Sequence, residues 1–340
     1  MIQTKGLAPR WPWQSGFALL RQAFHLAADK IAWLDRLRLV RQRRRIMREA
    51  LGYQPSLHRP RSFNERIAWK ILNDRNPLIP LTLDKVTVRP WVAERIGWQY
   101  ITPIVGVWNS ASEVPWEALP QRFVLKANHG SGYNILVPDK ALACRDTILA
   151  QAEAWLAENY GERTGEWGYR PIQPRLLVEE FLPSPVGGVP EDYKVYVFGG
   201  RPHLLQVHLG RFTKQRCELF YDPITLEPIA FGRHRHADWP DYPGPPSAAA
   251  TLYDLAARLG AGFDAVRVDF YLIDGEPRFG EMTHYSGGAS VALGTTDEDR
   301  TLGDLWAEAN GERARPQRVR TSGSLVLAPL SHAMQRTGAK

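Results

Sequence analysis

The chain has 340 residues, 44% of them apolar and 23% charged. That ordinary globular composition excludes a disordered or collagen-like polymer and leaves room for roughly two domains. Two cysteines, Cys144 and Cys217, exclude a disulfide framework and a four-cysteine zinc site. No apolar run approaches the roughly 18 residues of a membrane span. The first 20 residues, with Pro9, Trp11, Pro12 and Trp13, lack a signal-peptide core. The expectation is a cytoplasmic protein, peripheral at most at the inner face of the membrane. The net charge of +7 is uneven: residues 1–61 carry 13 Lys/Arg against three Asp/Glu, a local +10, and the rest of the chain sums to −3.

From Gln14 to Leu51 the pattern is helical, with Phe17, Leu20, Phe24, Ile31 and Leu34 on one face and Arg36, Arg38 and the arginines of 41–48 following. Residues 1–60 therefore read as a basic, amphipathic helical arm. Two readings stand beside each other: a surface helix with solvated arginines, or an interfacial helix on an anionic membrane with Trp11, Trp13 and Trp33 as anchors. No nucleic-acid motif accompanies the arginines, so no nucleic-acid partner is expected. Ser62-Phe63-Asn64-Glu65 is a capping box and predicts a helix to about Asn73, stopped by Asp74-Arg75-Asn76-Pro77. A second helix over 81–96, kinked or split at Arg89 by Pro90, should end at Gly97. From Tyr100 onward the pattern mixes α and β. Apolar runs at Ile104–Trp108, Phe123–Ala127, Tyr133–Val137, Leu176–Phe181, Lys194–Phe198, His203–Leu209 and Glu218–Tyr221 predict strands, and 146–160, 249–259 and 300–309 predict helices. Val266–Ile273 and Pro277–Glu281 flank Asp274-Gly275, the signature of a tight hairpin. Residues 183–190 and 240–246 read as loops, and 311–340 as a basic, weakly patterned tail.

Phosphate loops of the Gly-Lys-Ser/Thr kind, zincin helices, serine elbows and protein-kinase catalytic loops are absent. Asp297-Glu298-Asp299 matches the Asp-any-Asp pattern of glycosyltransferases, but acids just before a helix are also favoured by its dipole. What remains is scattered. Phe123-Val-Leu-Lys126 delivers a lysine to the end of a strand and is followed by Ala127-Asn128-His129-Gly130-Ser131-Gly132-Tyr133-Asn134, a small loop whose amides can approach an anion. Leu176–Phe181 ends on Glu179 and Glu180, and Lys194 sits in an apolar strand. Val266-Arg267-Val268-Asp269 puts a cation and an anion on one strand face, and the hairpin folds Glu281 back beside Asp269. Either a cation such as magnesium sits between these carboxylates, or Arg267 neutralises both.

In this order and spacing, Ser62–Glu65, Asn73–Pro77, Asp84-Lys85, Phe123–Gly132, Glu179-Glu180-Phe181, Asp192-Tyr-Lys194, Val266–Asp269 and Phe279-Gly-Glu281-Met-Thr283 resemble the ATP-grasp superfamily, and closely its TupA-like (teichuronopeptide biosynthesis) branch. The likeness spans about Arg61 to Leu305. It implies an α+β ATP-grasp fold, two α+β subdomains clasping ATP, over 61–310, with a hinge near 179–182. It implies that Lys126 and Lys194 meet the nucleotide phosphates, that the loop of His129, Gly130, Ser131, Gly132 and Asn134 closes over them, and that Glu179 and Glu180 lie near adenine and ribose. Asp269 and Glu281 would hold Mg2+, with Thr283 where the wider superfamily commonly has asparagine, and Arg267 would face the transferring phosphate. The implied reaction is ATP-dependent carboxylate–amine ligation through an acylphosphate, in cell-surface polysaccharide biosynthesis. The partners are then an acidic sugar or polysaccharide precursor and an amino-group donor. A phosphotransferase, a glycosyltransferase of the same pathway and a non-catalytic polyanion-binding protein are the alternatives. His284 to Gly288, after the metal strand, are expected to line the substrate pocket, and Arg211, Arg233 and Arg235 are either acid-binding or solvated.

Overall fold

The structure, a computed structural model, describes residues 33–183, 190–210, 217–232, 244 and 248–312. The arm before residue 33, with Trp11 and Trp13, most of the two loops, Arg211, Arg233, Arg235 and the tail beyond 312 lie outside the described residues.

Residues 33–51 form helix α1. Its buried face carries Arg43 and Met47, one turn apart, with Leu39 and Val40 packed on the main core. This part of the arm is thus a helix docked on the body. Helix α2 (Phe63–Asn73) starts at the expected capping box: the Ser62 hydroxyl accepts from the Glu65 amide, and the Glu65 carboxylate reaches back to the Ser62 amide. The helix expected over 81–96, kinked or split at Arg89, is split earlier in the chain, into α3 (Leu78–Leu83) and α4 (Val88–Ile96). The break falls at Asp84, whose side chain accepts from the Val86 amide at 2.8 Å. Pro90 lies in the first turn of α4, where a missing N–H costs nothing, so it introduces no kink.

Strands β1 (Ile104–Trp108), β2 (Phe123–Ala127) and β3 (Asn134–Val137) are followed by helices α5 (Arg145–Leu156) and α6 (Tyr160–Thr164) and strand β4 (Leu176–Glu180). The expected helix at 146–160 is interrupted because Asn159 caps α6, accepting from the Glu162 amide. The four strands form an antiparallel sheet in the order β1-β4-β2-β3 over a small core of Trp116, Phe123, Leu125, Trp155 and Val178. Next come β5 (Asp192–Phe198), β6 (Arg201–Leu209), β7 (Cys217–Tyr221), β8 (Pro228–Ile229), α7 (Ala249–Gly260), β9 (Ala265–Ile273), β10 (Glu276–Thr283) and α8 (Thr296–Ala309). The second sheet runs β10-β9-β5-β6-β7-β8, again antiparallel. Asp274 (φ 53°) and Gly275 (φ 82°) make the left-handed pair that a two-residue hairpin needs. Helix α8 begins earlier than expected, at a capping box of Thr295 and Glu298, so Asp297, Glu298 and Asp299 form its first turn. Asp299 accepts from both the backbone and side-chain amides of Asn64 and from the Tyr53 hydroxyl. Its carboxylate is a clamp between α2 and α8, not part of a nucleotide-sugar site.

Candidate active site

The site forms between the two sheets. On the six-stranded sheet, strand pairing sets its floor. Lys194 on β5 stands opposite Asp269 on β9, which stands opposite Glu281 on β10; Tyr196, Arg267 and Thr283 form the next row. All six share one face, since cross-strand partners do. Arg267 Nε and Nη2 donate to the two oxygens of Asp269 at 2.6 and 2.7 Å, Lys194 Nζ donates to Asp269 at 2.7 Å, and Arg267 Nη2 also donates to Thr283 at 3.1 Å. Burial alone would raise the Asp269 carboxyl, but Arg267 and then Lys194 outweigh it and hold it well below the usual carboxylate range. Glu281 stands 3.7 Å from Arg267 with its side chain 44% exposed, so it remains open to a ligand.

On the four-stranded sheet, Lys126 at the end of β2 pairs with Glu179 on β4, and Glu179 accepts from Arg89 Nη1 at 3.1 Å. The Arg89 guanidinium also donates to the Thr102 carbonyl. Glu179 is buried and Glu180 is exposed. Of the expected hinge pair, only Glu179 faces the lysine. Lys126, Glu179, Arg89, Lys85, Tyr169 and Glu281 line one cleft between the sheets. Phe279, which also lines it, forms an isolated parallel bridge with Ile101.

The loop after β2 is divided. Ser131, Gly132 and Asn134 are exposed, while Gly130 and His129 are buried. The His129 ring lies against Tyr133, and its Nε2 meets the carbonyls of Trp155 and Glu158 at 3.0 and 3.2 Å. Burial pushes this imidazole down towards its neutral form. The expectation that His129 closes over phosphates is therefore corrected: its side chain anchors the loop to the end of α5. Asn128 is a second anchor, donating to Asp84 and the Gln173 carbonyl and accepting from the Arg175 amide. His284 and Tyr285 do not line an open pocket either. His284 is buried against Phe263, with Nε2 2.7 Å from the Thr82 hydroxyl, and the Tyr285 hydroxyl accepts from the Gly168 amide.

Sequence reasoning gave no role to Lys85 or Arg89. Lys85 Nζ donates to the Gly130 carbonyl, and burial lowers its ammonium while Glu281 opposes that shift. Its neighbour Asp84 holds Asn128, 44 positions away. The only signal was the Asp84-Lys85 pair within the family pattern, since local periodicity carries no information about so distant a contact.

Does this set suit magnesium? Asp269, Glu281 and Thr283 offer oxygen only, and among the described residues no group of three or more His, Cys, Asp or Glu could hold a metal. Two carboxylates suffice for an ion that keeps its water and takes substrate phosphates as further ligands. The donor set fits.

An antiparallel sheet pair with a lysine–glycine loop on one side and a lysine–carboxylate face on the other is the ATP-grasp arrangement. The sequence matches the TupA-like ATPgrasp family over residues 65–307. The chain belongs to that family. No curated protein matches it. Among solved structures it is similar to the ATP-grasp ligase PsnB complexed with minimal precursor (14% identity, 68% of this chain and 62% of that one, TM-score 0.39). It is also similar to D-alanine–D-alanine ligase from Helicobacter pylori (16%, 67% and 61%, TM-score 0.38) and to D-cycloserine synthetase DcsG (14%, 69% and 71%, TM-score 0.39). The chain thus spans about three-fifths of the length of the first two.

Proposed function

We propose that this protein is an ATP-dependent carboxylate–amine ligase. The observation that carries the reading is the register that sets Lys194, Asp269 and Glu281 side by side across β5, β9 and β10, with Glu281 in the cleft that Lys126 and Glu179 also line. Lys126 and Lys85 supply cations for the nucleotide phosphates, and the backbone amides of the exposed Ser131 and Gly132 complete the cradle. Asp269 and Glu281 would hold magnesium with Thr283 beside them; when bound, the ion neutralises phosphate charge. Arg267, fixed by its two bonds to Asp269, presents its remaining guanidinium edge to the phosphate in flight.

In the first step a substrate carboxylate oxygen attacks the γ-phosphorus; the new O–P bond forms as the bond to ADP breaks. In the second, an amine attacks the acyl carbon, the C–N bond forms, and phosphate leaves with the amine giving up a proton. Positioning and charge neutralisation carry both steps. The substrates that fit the resemblance are an acidic sugar or polysaccharide precursor and an amino-group donor.

The test is ATP turnover with magnesium across a screen of uronic acids and amino acids, read by mass spectrometry. ADP, phosphate and a dehydrated adduct are expected, and Glu281→Gln should cut turnover by about a hundredfold or more with melting unchanged. A phosphorylated adduct would make the protein a phosphotransferase. AMP with pyrophosphate would overturn the acylphosphate. Consumption of a nucleotide-sugar would make it a glycosyltransferase, and absence of both turnover and an ATP-induced thermal shift would leave a polyanion-binding protein.

A further inference from the structure

Helix α1 lies outside the residues matched by the family. At about 100° per residue, Arg38, Arg41, Arg45 and Arg48 fall on one stripe with Leu34, and Trp33, Leu37 and Arg44 flank it. Arg43, Met47, Leu39 and Val40 fall on the opposite side, and that side is docked on the body. The docking is specific: Arg43 donates to the carbonyls of Gly288 at 2.5 Å and Thr164 at 2.7 Å. The helix is therefore fixed with its arginine stripe outward.

Arg38, Arg41, Arg44, Arg45 and Arg48 are all exposed, and none of their side chains makes a hydrogen bond or ion pair among the described residues. Only two acids lie on the helix: Asp35, 3.6 Å from Arg170 on the body, and Glu49. Like charges at three- and four-residue spacing repel one another along a helix, a repulsion that an anion lying over the stripe would relieve. At the N-terminal end of the stripe, Trp33 is 59% and Leu34 58% exposed. A basic stripe ending in an exposed tryptophan and leucine matches a lipid headgroup layer, which offers phosphate to the arginines and an apolar boundary to the indole. A soluble polyanion offers the first and not the second.

We infer that the outer face of α1 docks this protein on an anionic phospholipid surface. The inference is independent of the catalytic reading, since no residue of the stripe touches the cleft.

The experiment is co-sedimentation of the full chain with vesicles of phosphatidylcholine alone and of phosphatidylcholine with phosphatidylglycerol. Binding only to the second, and its loss at about 0.5 M salt, is expected. The combined change Arg38→Gln, Arg41→Gln, Arg45→Gln and Arg48→Gln should weaken partition by about a hundredfold, and Trp33→Ala with Leu34→Ala by about tenfold, with melting unchanged in both. Equal binding to the two vesicle types, no binding at low salt, or wild-type binding by the arginine variant would each overturn the inference. So would displacement by polygalacturonate together with indifference to the Trp33 and Leu34 changes, which would assign the stripe to an acidic polymer.

Discussion

The Tyr196 hydroxyl shows how a single buried atom can serve the site. Tyr196 stands opposite Arg267 in the sheet, is 1% exposed, and donates to Gln206 Oε1 at 2.8 Å; Gln206 Nε2 donates in turn to Glu218 at 3.1 Å. The phenol oxygen is left to accept from the guanidinium beside it, so the chain is polarised from cation to anion, and each bond strengthens the next. Tyr196→Phe removes the link. Turnover should fall about tenfold, with the KM for ATP little changed; unaltered turnover would mean that Asp269 alone orients Arg267. A second residue-scale case is Glu166. Burial raises its carboxyl to about 7, against the pull of Arg43 and then Arg163. The folded chain therefore keeps a proton that the unfolded chain releases from about pH 4.5 upward. Stability should fall as pH rises towards 7 and level off above it, by on the order of 3 kcal/mol. Glu166→Gln should flatten that slope in urea denaturation at pH 5 and pH 8; an unchanged slope would place the titration elsewhere.

Among the elements, the loop between β2 and β3 carries two glycines for different reasons. A Cβ on Gly130 would stand 2.6 Å from the Tyr133 ring and 2.9 Å from that of Tyr160. Gly132 has φ +78° and open space around it. Gly132→Ala should therefore cost only backbone strain, about 1 kcal/mol. Gly130→Ala displaces Tyr133, the residue on which His129 rests, and should weaken ATP binding far more, as isothermal titration of both variants would show. Equal losses would mean that strain, not contact, governs the loop. The strands themselves were legible: β2 alternates buried and half-buried positions, the pattern its residues predict. That the split of α3 from α4 falls at Asp84 and not at Arg89 was not, because it depends on Asp84 turning its side chain to Asn128 and Arg175.

Across the whole molecule, Arg43 couples the basic helix to the body. Burial lowers its guanidinium, and its two carbonyl partners belong to the last residue of α6 and to the segment after β10. Arg43→Ala leaves both carbonyls without their donor, a cost of about 2–3 kcal/mol. Amide exchange over 33–51 should accelerate while that of β9 and β10 holds; uniform acceleration would mean that α1 is an integral part of the core and not a docked element. A helix held at a few points in this way can present an arginine face without disturbing the cleft.

The residues of this chain determined much by themselves. The capping box of α2, the Asp274-Gly275 hairpin, the Arg267–Asp269 pair and the return of Glu281 follow from local geometry, in which side chains two apart share a strand face and a two-residue turn fixes register. The order of the motifs was enough to indicate the family. Tertiary structure alone decided which groups face the ligand and which are consumed by the fold. His129 and His284, polar and near the glycine loop and the metal strand in sequence, are buried as anchors, whereas Lys85, in an unremarked turn, reaches the Gly130 carbonyl. The physical reason is the same in each case. A buried polar group must find its partner wherever packing brings one, and that partner lies tens of residues away, beyond the range of any local pattern.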